Sequence, residues 1–390
     1  MPTTRLEFHP LTYVEERDGV TVGRVDGTSY AQLPADGVAL LKRLADGMSP
    51  SEAAAWYSVS FGEAVDIDDF VDAMRDLGFV RTDGEDVAQA PAVRFQALGR
   101  AAFSAPAWAA YSLLLVAAAV AMAVRPELRP HAANVFFLPS LIAVQFALAL
   151  CQSPAILWHE WFHWLAARRL GLSSRLRIGR RYYYLVVETE LDALLGVPPR
   201  RRYLPMLSGL FADLFLFAGL VLVAAAALPA WPGGLALAIA YTVLLRMAWQ
   251  FYIFLRTDLY YVLTTALGCT NLHEVSRAYL RHRFRRLPWV RPSDWATDQW
   301  TPRDRRMAPT FALIMVGGVL AMIATVVLWT GPLIVEFLTR VITAMSHGTS
   351  GGRGFWDSVG SLLFVAIELV VLPLLAGRAG RRRAAASTPA

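Results

Sequence analysis

The sequence predicts a mainly α, polytopic membrane protein of about six spanning helices, preceded by a small α+β domain. Three observations carry this reading. Of 390 residues, 56 % are hydrophobic and only 17 % charged, which is too apolar for an ordinary water-soluble domain. The charge is segregated: residues 1–90 hold 17 Asp/Glu against 7 Lys/Arg, although the whole chain is net +6. Beyond residue 100, six stretches reach the roughly 20 mostly apolar residues that a bilayer crossing needs.

In chain order, the acidic segment 1–90 comes first. Short alternating β-like runs at 11–14, 20–25 and 29–33 are separated by Asp18-Gly19 and Asp26-Gly27, both turn-forming dipeptides. Three helical patterns follow, at 35–46 closed by Gly47, at 50–57 opened by Ser49-Pro50, and at about 65–77 closed by Gly78. Phe79-Val80 is expected as a last strand. Short strands followed by three helices suit a winged-helix-like domain. Residues 1–30 carry no apolar core of the signal-peptide kind, so this head is expected to stay where it is made. Residues 91–102 read as a linker.

The membrane domain is expected over 103–377, with spans at 103–124, 136–157 (running on into a helix past residue 159), 206–229, 234–255, 310–332 and 357–376. The connecting segments alternate in charge. Nine Arg lie in 168–203 and nine in 271–309, and Arg378, Arg381, Arg382 and Arg383 begin a basic tail at 378–390; the turn 230–233 has none. The positive-inside rule then puts both termini and both Arg-rich loops in the cytoplasm, and an even span count agrees. The expected location is a bacterial cell membrane. Arg177–Arg181 followed by Tyr182, Tyr183 and Tyr184 interleaves basic and aromatic residues, but orientation and headgroup anchoring account for both, and no nucleic-acid partner is expected. Cys151 and Cys269 are too few for a disulfide framework and read as free thiols.

The chemistry concentrates in His159-Glu160-Trp161-Phe162-His163, an H-E-x-x-H pattern on a helix. Positions i and i+4 project from one face, so the two imidazoles can serve one metal ion, and Glu160 borders that face where a carboxylate can reach a water. Zinc would acidify that water to near neutrality while the carboxylate takes its proton. Trp158, Trp161 and Trp164 recur every three residues around the motif and read as a packing stripe.

Two His leave a zinc site short of one protein ligand. Asp258, in Leu255-Arg256-Thr257-Asp258-Leu259-Tyr260-Tyr261, ends the fourth span at the matching membrane level and is the chosen third ligand. Pairing with Arg256 or capping of the next helix is its bland alternative. Glu188 is the runner-up, with Glu190 and Asp192 beside it, and His273-Glu274 opens the second Arg-rich loop. Asp213 and Glu368 lie within spans and read as acids with partners inside the bundle, without a role. Ala166 and Arg169 occupy the places of a third histidine in H-E-x-x-H-x-x-G-x-x-H, which excludes that extended pattern.

Across roughly 136–276 the chain resembles the site-2 protease family of intramembrane zinc metallopeptidases. That resemblance implies His159, His163 and Asp258 as ligands of one zinc and Glu160 as general base. Thr257-Asp258-Leu259-Tyr260-Tyr261 through Gly268-Cys269-Thr270-Asn271-Leu272 is similar to the Asp-Gly-Tyr-Tyr segment and following Asn-Leu of members that process peptides. Leu259, Phe162 and Ser208-Gly209-Leu210 depart from the family pattern, and none of these departures removes a ligand. The head resembles PqqD-like domains, which bind leader peptides by strand addition at a sheet edge. The expected function is a membrane-embedded zinc endopeptidase that cuts a peptide near the cytoplasmic face, removing the leader of a ribosomally made, modified precursor. The rival from another class is a non-catalytic metal-containing membrane protein that binds or helps export such a peptide. A desaturase-like di-iron enzyme is excluded, because seven His with only two clustered cannot supply its ligands.

Overall fold

A computed structural model describes residues 5–371 except 83, 175, 182–183, 190–191, 287–290, 292–294, 296–299 and 349–351; side chains are not described at 176–181, 184–189, 192 and 371. The head begins with strands β1 (Leu11–Glu16), β2 (Gly19–Arg24) and β3 (Tyr30–Leu33) in an antiparallel sheet of order β1-β2-β3. Helices α1 (Ala35–Ala45), α2 (Pro50–Phe61) and α3 (Ile67–Asp76) follow. Helix α1 is the wedge of this domain. Its Val38 and Leu41 pack with Val22, Met74 and Phe79, while its Leu40 and Leu44 pack with Ala53, Tyr57, Ile67 and Val71. Helix α2 starts on a capping box, with the Ser49 hydroxyl accepting from Glu52 N and Glu52 Oε2 accepting from Ser49 N at 3.0 Å. The last strand expected at Phe79-Val80 is reduced to a single bridge, Phe8 to Val80. Pro10, which has no N–H to give to a ladder, stands just beyond it.

The expected linker is partly helical: α4 (Gln96–Ala102) crosses the motif helix. Gly99 makes this crossing, because a Cβ there would meet Leu165 O at 2.5 Å.

Among the described residues, five helices are long and apolar enough to cross a membrane, which makes this a multi-pass membrane protein. They are α5 (Ala105–Val124), α6 (Leu141–Arg169), α7 (Pro199–Ala227), α8 (Trp231–Gln250) and a continuous 45-residue run, Pro302–Ser346. That run comprises α11 (Pro302–Thr325), a π turn at Val326–Thr330 and α12 (Gly331–Ser346). Much of the segment between the spans expected at 310–332 and 357–376 is therefore helix. At the π turn Gly331 N donates to Val326 O, and Pro332, which has no N–H to give, stands in the first turn of α12, so the helix continues past it. For the sixth expected span, α13 (Arg353–Ala366) and a π turn at Ile367–Val371 are helical, and 372–376 lies outside the described residues.

Helix α7 is the centre of the bundle and packs on α5, α6 and α8. Ala118 of α5, Ala218, Val221 and Ala224 of α7 and Ala236 of α8 form the seam, small residues that let helix backbones approach closely. Between α6 and α7 lie the hairpin β4 (Leu176–Arg181) and β5 (Tyr184–Thr189), and after α8 come α9 (Asp258–Leu267) and α10 (Leu272–Arg283).

The head touches this body through ions. Glu16 pairs with Arg202 of α7, and Asp18 Oδ2 lies 2.7 Å from Arg303 Nε of α11. Arg17, between them, packs beside Gly268, the left-handed residue that ends α9. The acidic β1–β2 turn thus rests on the basic ends of two body helices.

Candidate metal centre

Helix α6 runs unbroken for 29 residues, through Pro154, so the H-E-x-x-H segment continues the second apolar span. The pentad's non-ligand positions hold the helix in place. Phe162 is buried with Phe103, Leu165, Ala166, Ala212 and Phe215, and Trp158 Nε1 donates to Ala212 O at 3.0 Å. Trp164 is half-buried against Phe95 and beneath Arg168, and Trp161, 40 % exposed, lies against Trp158 with ring centroids 5.7 Å apart.

His159 and His163 are both buried, and their Nε2 atoms lie 3.2 Å apart. The chain brings a third donor to them from 95 residues beyond His163. Helix α8 ends at Gln250, the chain reverses through Ile253–Leu255 and Arg256 in the left-handed region (φ 59°), and α9 starts on Asp258. Asp258 Oδ2 then stands 3.2 Å from His159 Nε2 and 3.3 Å from His163 Nε2. Arg256 meets Glu274 at 4.0 Å instead of Asp258.

Protons explain what this triangle wants. His163 Nδ1 lies 2.7 Å from Pro205 O, a carbonyl that can only accept, so Nδ1 carries the hydrogen. His159 Nδ1 lies 3.0 Å from Asp213 Oδ2, again an acceptor. With both protons on Nδ1, each neutral ring presents a bare lone pair at Nε2, and Asp258 Oδ2 adds a third. In that form the three lone pairs converge with no hydrogen between them and repel unless a cation, either a metal ion or a proton on one of the ring nitrogens, stands among them. A tetrahedral zinc with donors at about 2.0–2.1 Å holds them about 3.3 Å apart, and the three observed edges are 3.2, 3.2 and 3.3 Å. The residues therefore fit a zinc ion, with the Glu160 carboxylate beside them. One ligand atom from each of His159, Glu160 and His163 falls within a 4.8 Å cluster, and Glu160 is half-buried.

Room for a cation comes from α7. A Cβ on Gly209 would lie 2.3 Å from both Nε2 atoms and 2.5 Å from His159 Cε1, so only glycine can face this spot. Ser208, next to it, donates to Pro205 O at 2.8 Å.

Other acids named from the sequence fall elsewhere. Glu188 sits in β5, opposite Arg177, with its side chain outside the described residues, as is Glu190 altogether. Glu368 is exposed on the π turn after α13, whose helix lies at the edge of the bundle. Asp213 does have partners: it is fully buried, bound to Arg246 by Nη2 at 2.5 Å and Nε at 3.1 Å, and it holds His159. Arg246 and Gln250 carry no motif, and sequence reading passes over both. The available signal is an opposite-charge pair, Asp213 and Arg246, in consecutive apolar spans, since ionisable side chains at membrane depth are costly unless used.

No protein-family model, curated protein or solved structure matches this chain.

Proposed function

We propose that this chain is a site-2 protease-like, membrane-embedded zinc endopeptidase that hydrolyses a peptide bond beside the His159 helix at the cytoplasmic membrane face. The observation that supports it most is the convergence of the buried His159 Nε2 and His163 Nε2 and of Asp258 Oδ2 next to a carboxylate. One zinc, held by those three residues, would acidify a water and polarise the scissile carbonyl. Glu160 then takes the proton from the attacking water and passes it to the nitrogen of the departing amine. Pro205 O and Asp213 keep the two imidazoles in the tautomer that leaves Nε2 free.

The head is proposed to be a winged-helix-like, PqqD-like module that delivers the substrate, a leader-bearing precursor peptide. A cleft of about 650 Å³ lies between the edge strand β1 and the body, lined by Thr12, Tyr13, Val14, Glu15, Gly196 and Pro198. Val25 N donates to Pro10 O, and this alternation turns Thr12, Val14 and Glu16 toward β2. The N–H and C=O of Tyr13 and Glu15 consequently point off the edge that borders the cleft, as strand addition requires. From Pro199 to Gly209 along α7 is about 15 Å, which roughly five extended residues span.

The test is zinc content and peptide cleavage by the full chain in detergent or vesicles. Wild type is expected to hold one zinc per chain, to lose cleavage with a chelator and to regain it with zinc. Asp258→Ala is expected to lose both metal and cleavage. Full zinc occupancy in Asp258→Ala would remove it as a ligand and bring Glu188 forward.

A further inference from the structure

We infer that helix α8, which supplies no metal ligand, sets the metal affinity of the centre through one polar face that orients both His159 and Asp258. This rests on the metal reading above and adds to it the positioning residues Arg246, Asp213 and Gln250.

Thr242, Arg246 and Gln250 recur every four residues in a helix that is otherwise mostly apolar, so they share one face. Each is used inside the bundle. Thr242 Oγ1 accepts from Gln152 Nε2 of α6 at 2.5 Å. Arg246 binds the Asp213 carboxylate with two nitrogens and reaches Ala155 O of α6 at 3.3 Å. Gln250 grips Asp258 twice: its Nε2 donates to Oδ2 at 3.1 Å, and its Oε1 accepts from Asp258 N at 3.1 Å. The backbone bond fixes which end of the Gln250 amide faces which atom. Thr257 Oγ1 donates to Gln250 O at 2.7 Å and completes the grip on the segment that turns back toward α6.

These bonds do work that burial alone does not. A His ligand swings about its Cα–Cβ and Cβ–Cγ bonds, and Asp213 on Nδ1 removes that freedom. Asp213 is fully buried and would not stay in place without the Arg246 charge beside it. Asp258 arrives on a short helix after a left-handed turn, so the orientation of its carboxylate is set by Gln250 and not by a long rigid element. Arg246 and Gln250 lie one turn apart, and one helix therefore registers two ligands from different parts of the chain. His163 is held separately, by Pro205 O of α7.

The test uses the full-length chain in detergent, with zinc affinity measured by chelator competition and the melting temperature of the zinc-stripped protein as the control for folding. Asp213→Leu/Arg246→Met removes both buried charges together, which costs a bundle much less than leaving one of them unpaired. Gln250→Met keeps the side-chain volume and loses both bonds. Each variant is expected to melt, when stripped, within a few degrees of stripped wild type and to bind zinc roughly 10–100-fold more weakly. Zinc affinities within threefold of wild type in both would overturn the inference and leave the metal centre standing. A wild type that binds no zinc would overturn the metal reading and this inference with it. A variant that melts early when stripped is set aside in favour of the other, whose affinity then decides.

Discussion

Glu160→Gln is expected to keep one zinc per chain and to lose cleavage by roughly 10²–10⁴-fold. Glutamine has the shape of glutamate but cannot take a proton from water, so the substitution separates holding a metal from using it. The three converging lone pairs belong to His159, His163 and Asp258, and none of them is touched. Glu160 neighbours the cluster on the same helix, with a carboxylate oxygen inside the 4.8 Å group, where it can serve a water without being needed as a ligand. Metal content by mass spectrometry and cleavage of a candidate precursor peptide read the two properties on one sample. Undiminished cleavage in Glu160→Gln would sink the hydrolytic mechanism. Loss of zinc with loss of cleavage would make Glu160 a ligand and change the roles around it.

Gly209→Ala is expected to weaken zinc binding by one to two orders of magnitude, from a single added methyl. Its carbon would stand 2.3 Å from both Nε2 atoms, inside the space a cation needs. Neither imidazole is free to retreat, because Asp213 holds one Nδ1 and Pro205 O holds the other, and both of these anchors are on α7 with Gly209 itself. Overpacking of this kind costs about 1–3 kcal/mol, which is roughly 5–150-fold in an equilibrium constant. Gly219 supplies the control. It lies on the same helix with nothing within 4 Å of its missing Cβ, so Gly219→Ala should bind zinc as wild type does. Equal effects at the two glycines would mean that helix flexibility, and not the space at the two imidazoles, is what Gly209 provides.

The legible part of this site is what repeats locally. His159 and His163 announce themselves because the helix period places i and i+4 on one face, and the apolar run before them puts that helix in a membrane. Asp258 is legible at one remove, since charge alternation assigns it the same membrane level as the motif. Helix boundaries in the head follow Ser49-Pro50, Gly47 and Gly78 to within a few residues, because caps are short-range chemistry. The long helix through Gly331-Pro332 is not legible, as a π turn absorbs what the sequence presents as a breaker.

Composition, charge alternation and one pentad are enough to specify a multi-pass membrane chain with an acidic head and a two-histidine helix face, because those properties depend on the bilayer and on helical spacing alone. Only the tertiary structure decides the rest. It brings Asp258 Oδ2 across 95 residues to a triangle with 3.2–3.3 Å edges, clears a spot for a cation at Gly209, and turns Asp213, Arg246 and Gln250 into orienting groups. Such contacts join helices that are distant in the chain, so they depend on how α6, α7, α8 and α9 pack and not on any local pattern of residues.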